Sequence, residues 1–236
     1  MTRTLRALSA LLSYPTAEMK AAVWEIGEAI HVEGLLPDDA LAGIGGLLAE
    51  IEATPLLELE ERYVALFDRS RTLSLNLFEH LHGESRDRGG AMVDLLEMYR
   101  AGGFEPVGPE LPDHLPILLE FLSTRPLGEA RATLAEAAHI IEALKIRLER
   151  RDADYASVLG ATLALSAERG DRQAVAALAA EPDDDPNDLE ALDAVWEEAA
   201  VAFGPDPNAG CPVSRDLLAN MDIPQQQPPA WTGAAE

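Results

Sequence analysis

The sequence predicts an all-α protein, a compact single-domain bundle of about nine to ten helices with a flexible C-terminal tail. Three observations carry that expectation. Apolar residues recur at intervals of three and four between short Gly, Pro and Asp punctuation. Aromatics make up only 5% of the chain, and valine and isoleucine do not cluster into runs. No segment is read as alternating with period two, and no Asn-Gly or Asp-Gly turn is present to join a hairpin.

The elements follow in order. Residues 3–13 form a first helix with Leu5, Leu8, Leu11 and Leu12 on one side, closed by Tyr14-Pro15. Residues 17–32 form a second, with Met19, Val23, Ile26 and Ile30 on a stripe, and residues 38–53 a third, carrying Leu41, Ile44, Leu47, Leu48 and Ile51. Thr54 is expected to cap the next helix, with Pro55 at its first position and its body running through Tyr63 to Phe67. Helices over 72–82 and 89–101 come next, the latter closed by Gly102-Gly103 in a left-handed turn. A loop with Pro106, Gly108 and Pro109 leads to Pro112-Asp113-His114, which opens a helix reaching Ser123. Residues 126–150 carry Leu127, Leu134, Ile141, Leu144 and Leu148, and residues 155–169 end at Gly170. The run EPDDDPN (181–187) reads as a linker, Asn187 and Glu190 as a capping box for a helix to Val201, and the Pro/Gly/Gln-rich segment 203–236 as a disordered or partner-ordered tail after a domain spanning 1–202.

Charge and cysteine content exclude several classes. With 18 basic and 42 acidic residues the net charge is −24, which repels phosphate backbones and anionic lipid and favours a basic partner segment. The single cysteine, Cys211, excludes an internal disulfide and a multi-cysteine metal site. The opening MTRTLRALSALLSYP has a basic start, but its leucines follow helical spacing and no small-residue cleavage pattern follows. A cytoplasmic protein without membrane insertion is the expectation.

Three constellations lie between Arg62 and Ser123. The first is His80-Leu81-His82-Gly83-Glu84. In one helix His80 and His82 point roughly 200° apart and cannot share a metal, so His80 is expected to be semi-buried with a local hydrogen bond and His82 to edge a groove or loop. The second is Pro112-Asp113-His114, where Asp113 as N-cap would accept the Leu115 amide, worth ~1 kcal/mol, with Pro116 in the first turn. His114 would then project beside Leu118 and Phe121. The third is a set of arginines, Arg62, Arg69, Arg71, Arg86 and Arg88, able to hold an anion or to pair with Glu58, Glu61, Asp68, Glu79, Glu84 and Asp87. Catalytic motifs are missing: there is no nucleophile elbow, phosphate loop, dinucleotide fingerprint or zincin motif.

Together, YVALFDRSRTLSLNLFEHLHGESRDRGGAMVDLLEMY and ELPDHLPILLEFL resemble the TorD-like family of redox enzyme maturation chaperones. The shared mark is the Pro112-Asp113-His114 step opening a helix, and the FEHLHGESRDRG block resembles the nitrate reductase branch. The resemblance implies a non-catalytic cytoplasmic chaperone with no stably bound cofactor. It would bind the N-terminal segment of the apo catalytic subunit of respiratory nitrate reductase and keep it competent for molybdenum cofactor and iron-sulfur cluster insertion before membrane docking. Proteins that deliver molybdenum cofactor are further partners in that reading.

A peptide groove is expected from Phe67, Leu77, Phe78, Tyr99, Leu115, Leu118 and Phe121, with His80, His82, Glu84 and Pro112 beside it and Asp113 and His114 as polar anchors at its mouth. A protonatable His114 there would make peptide release sensitive to pH over about 5.5 to 8. The alternative from another class is a helical metal-dependent hydrolase using His80, His82, Glu84 and His114.

Overall fold

Helix α1 (Arg3–Leu12) lies at the centre of the fold, with Leu5, Leu8, Leu11 and Leu12 completely buried. It packs on α8 (Leu115–Ser123) and also meets α3 (Val23–Glu33) and α10 (Ala156–Leu165). The molecule is known from a computed structural model that describes residues 1–82, 86–180 and 182, with only the backbone given for His82, Arg86 and Asp87. All of these lie in one compact unit. The expected helix 187–201, the boundary at 202/203, the tail and Cys211 fall outside the described residues.

The N-terminal end of α1 is capped from another helix. Thr2 offers no side-chain cap, and Glu33 from α3 takes its place, accepting the backbone N–H of Arg3 at 3.0 Å and that of Thr4 at 2.6 Å. A carboxylate there satisfies orphan donors and sits at the favourable end of the helix dipole. The Ser9 hydroxyl donates to the Pro116 carbonyl at 2.7 Å, tying α1 to the start of α8.

The single helix expected over 17–32 is two, α2 (Ala17–Ala21) and α3, divided at Ala22. The division aims Lys20 at the end of α4 (Asp38–Ala53), where its ammonium donates to the carbonyls of Ile51, Glu52 and Thr54. These are the acceptors that the end of a helix leaves open. Thr54 closes α4 rather than opening the next helix: its N–H donates to Glu50, and Pro55 takes the N-cap position of α5 (Leu56–Tyr63). The chain then widens into a π turn, Val64–Asp68, where the Arg69 N–H reaches back five residues to Val64.

The largest departure from expectation is at 72–82. Arg71–Leu73 form a short 3-10 turn, and only Glu79–His82 (α6) are α-helical. Between them the chain bends and turns, and a single bridge pairs it with the Asp113 segment. Leu77 N–H donates to the Asp113 carbonyl at 3.1 Å, Leu115 N–H donates to Leu75 at 2.9 Å, and Asn76 bridges His114 antiparallel. In the sequence Leu73, Leu75 and Leu77 do alternate with the polar Ser74 and Asn76, and all three leucines are buried, as is Ser74.

Helix α7 (Arg86–Ala101) ends as expected. Gly103 is left-handed (φ 71°), its N–H donates to Arg100 and the Phe104 N–H to Tyr99, and the Phe104 and Tyr99 rings meet edge to face at 5.5 Å. Helix α9 (Leu127–Arg150) is the long strut on which α10 and α11 (Arg172–Ala180) pack, while α10 also covers α4. Helix α10 stops at Leu165, four residues before the expected end. Beyond it Gly170 passes so close to α9 that a Cβ would lie 2.5 Å from the His139 Cα, a contact only glycine allows.

Helix α11 was not anticipated. Asp171 caps it, accepting the Ala174 N–H at 3.0 Å. Its last carbonyls are held from α9: Arg147, 1% exposed, donates to Leu178 and also to Thr72 of the 3-10 turn, and Arg150 donates to Ala179 at 2.8 Å. One buried guanidinium thereby joins three segments. Among the described residues no helix is long and apolar enough to cross a membrane.

Candidate functional site

Pro112-Asp113-His114 is positioned from both sides. The Tyr99 hydroxyl donates to the Pro112 carbonyl at 2.8 Å, and the segment 75–77 pairs with Asp113 and Leu115. Asp113 is completely buried. Its carboxylate does not cap α8, because the Leu115 N–H is already taken by Leu75 and the N-cap position falls to His114, whose side chain makes no cap bond. Instead Oδ2 accepts the Phe78 N–H at 3.0 Å, just before α6, so the carboxylate pins the chain entering that helix.

Arg88 of α7 approaches from the other side, with Nη2 3.0 Å from Glu79 and 4.0 Å from Asp113. Burial raises the Asp113 pKa above the usual carboxylate range, against the opposing pull of the Phe78 N–H and the Arg88 charge. Oδ1 has no hydrogen-bond partner among the described residues. A desolvated, half-satisfied carboxylate of this kind is costly and is expected where a site demands it.

His114 is half-buried, and burial pushes its pKa down to about 4 although the neighbouring Asp113 works the other way. The ring is therefore neutral across the range in which pH-sensitive release was expected, which argues against His114 as that switch. It has a stability consequence instead. A base whose folded pKa is depressed contributes stability that is full above its unfolded value of 6.5 and is lost as pH falls toward 4. His114→Gln is expected to flatten the decline in unfolding free energy over that interval, measured by urea titration at stepped pH. An unchanged slope would show that the ring is solvated.

Beside Asp113 an apolar cleft of about 230 Å³ opens between four segments. Leu77, Phe78 and Leu81 form one wall, Leu95 and Met98 of α7 a second, Leu118 of α8 the floor, and Thr133, Glu136, Ala137 and Ile140 of α9 the far side. Leu81 and Met98 are 48% and 37% exposed, so the cleft is open to solvent along one edge. Its chemistry is that of a site for an apolar side-chain row, with Glu136 and the acidic surface beyond to receive cations.

The structure brings together some of the expected groove and not the rest. Phe78, Asp113 and Leu118 line the cleft with Leu77. Phe67 lies elsewhere, in a ring cluster with Tyr63 and Tyr155. Tyr99 and Phe121 are 0% and 4% exposed, packed on each other and on Phe104, and so lie in the core behind the wall. Leu115 is likewise fully buried.

His80 is half-buried with Nε2 2.8 Å from the Ser74 carbonyl, the local bond expected of it, although it stands in the short α6 and not in a long helix. The side chains of His82 and Arg86, and Glu84 entirely, lie outside the described residues. Of the arginines, Arg62 bonds Glu50 and Glu58, Arg88 pairs with Glu79, and Arg69 and Arg71 are exposed. No group of three His, Cys, Asp or Glu able to hold a metal occurs among the described residues.

The α9 wall was missed by sequence reasoning, yet its signal is present. Thr133, Ala137 and Ile140 follow helical spacing on a second stripe beside Leu134, Ile141, Leu144 and Leu148. A helix with two apolar faces has a second surface to cover.

A family model described as nitrate reductase delta subunit matches residues 17–161, a span that contains every residue of the cleft. The chain is 42% identical over 205 residues to the nitrate reductase molybdenum cofactor assembly chaperone NarJ of Escherichia coli strain K12, covering 86% of each chain. It is 43% identical over 158 residues to the probable chaperone NarW of the same strain, covering 66% of this chain and 68% of the relative. It is 34% identical over 180 residues to the probable NarJ of Bacillus subtilis strain 168, covering 73% and 92%.

Proposed function

Because the chain belongs to the nitrate reductase delta subunit family, we propose that it is an assembly chaperone for a nitrate reductase, acting on the apo catalytic subunit while molybdenum cofactor is inserted. It performs no catalysis in this reading and holds no cofactor of its own. The finer part of the proposal is that it binds the N-terminal segment of that subunit as an amphipathic helix. It keeps the subunit competent for iron-sulfur cluster insertion as well, before the client docks on the membrane. The chaperone works in the cytoplasm, and cofactor delivery proteins are its further partners.

The observation that supports the peptide reading is the open apolar cleft walled by Leu77, Phe78, Leu81 and Met98, with Asp113 buried in its side, in a protein of net charge −24. The apolar face of a helix fits such a cleft, and the acidic surroundings accept basic residues flanking that face. The remaining expected contacts, His80, His82, Glu84 and His114, neighbour Leu81 and Asp113 in the sequence and are proposed as its rim.

Calorimetric titration with a synthetic peptide covering about the first fifteen residues of a nitrate reductase catalytic subunit tests this. Saturable binding with a negative heat-capacity change is expected. Leu81→Ser with Met98→Ser, both at exposed positions, should weaken it about tenfold, or ~1.4 kcal/mol, without unfolding the protein. Undiminished affinity in that double variant would move the peptide to another surface.

A further inference from the structure

We propose that the face between α3 and α4 is a second docking surface, shaped for a basic amphipathic helix of another protein. Trp24 and Val32 stand on one stripe of α3, eight residues apart, and are 77% and 69% exposed. They flank an open groove of about 650 Å³ whose other side is α4, with Gly45, Leu48 and Ala49 along it. Scattered exposed apolar residues are ordinary, but here an indole and a branched chain edge one groove, with the exposed Glu28 between them on the same stripe. None of the residues of this groove belongs to the cleft beside Asp113.

Gly45 leaves open space on the α4 side of the groove. A Cβ there would meet nothing within 4 Å, so no packing within the described chain calls for glycine in the middle of a helix. Glycine at such a place costs about 1 kcal/mol relative to alanine. A second helix laid into the groove would use the missing side chain to bring its backbone near.

Charge selects the occupant. Glu28 and Glu52 are exposed and line the groove, and Glu25 is exposed beside Trp24. The ammonium of Lys20, the cation in that lining, is already engaged by the carbonyls ending α4. A second copy of a chain with net charge −24 would bring like charge to this rim, and anionic lipid would be repelled. A helix with lysine or arginine flanking a small apolar face meets both the groove and its rim.

The test uses the full chain with Trp196→Phe and Trp231→Phe, which leaves Trp24 as the sole indole of the three. The probe is a synthetic helical peptide with leucine and alanine on one face and lysine and arginine on the other. A peptide of identical composition in scrambled order is its control. Saturable blue-shifted Trp24 emission with the amphipathic peptide alone is expected.

Gly45→Leu fills the groove without a clash at Cβ, so it should keep the fold and cut affinity by about tenfold or more. Leu81→Ser with Met98→Ser should leave this binding unchanged. The proposal is overturned by an absent shift, by an equal shift with the scrambled peptide, or by full binding to Gly45→Leu. It is also overturned if sedimentation shows self-association that Gly45→Leu abolishes, since that assigns the face to a second copy.

Discussion

Asp113→Ala is expected to lose about 2 kcal/mol of stability and more than tenfold in client-peptide affinity, a larger combined effect than any other substitution in the cleft. The fully buried carboxylate holds the Phe78 N–H, and its removal leaves that donor without an acceptor and Arg88 without a second counter-charge. The chain entering α6 carries Leu77 and Phe78, one wall of the cleft, so the same loss loosens the recognition surface. Asp113→Asn separates the two contributions. An amide oxygen can still accept from Phe78, and burial already penalises the ionised form of Asp113, so this variant should stay within about 1 kcal/mol of wild type. Urea unfolding of both variants together with peptide calorimetry decides the matter. Equal losses from Ala and Asn would mean that the charge, and not the hydrogen bond, is what the site requires.

Arg147→Leu should cost about 3 kcal/mol, because two carbonyls from separate segments lose a charge-assisted donor in a buried place. Those carbonyls belong to Thr72, in the 3-10 turn, and Leu178, at the end of α11. Arg150 also holds α11 through Ala179, so the helix should open without departing. Hydrogen exchange read by mass spectrometry is expected to quicken first across Arg172–Ala180 and next over the Leu73–Leu77 stretch. Arg147→Lys, able to keep one bond, should lose about half as much. Unchanged exchange in α11 would show that its packing on α9, and not the guanidinium, anchors it.

Much of this architecture could be read directly because its causes are local. The leucine row of α1, the Asp38–Ala53 helix and the Gly102-Gly103 stop depend on residue spacing and on glycine's access to positive φ, and each stands where expected. Helix α11 was legible too, in Asp171 followed by an alanine-rich run that was left unassigned between Gly170 and the linker. The exit of the chain from helix at Ser74 was written in the alternation of Leu73, Leu75 and Leu77, a short pattern easily absorbed into a longer helical one.

The candidate site was half legible for a different reason. Residue type grouped Phe78, Asp113 and Leu118, which line one cleft, yet the same criterion added Phe67, Tyr99 and Phe121, and these pack into ring clusters inside the core. An aromatic side chain is equally at home in a groove and in a core, and only the neighbours decide.

By itself the amino-acid sequence determined the helical class, most helix bounds, the acidic surface and, through its motifs, the family. Tertiary structure alone decided that Asp113 bonds Phe78 and not the amide of its own helix, that His114 is too desolvated to titrate near neutrality, and that α9 closes the cleft. Periodicity, capping preference and net charge are sums over near neighbours in the chain. A carboxylate's partner and a ring's pKa are set by groups distant in sequence, brought close only when the chain has folded.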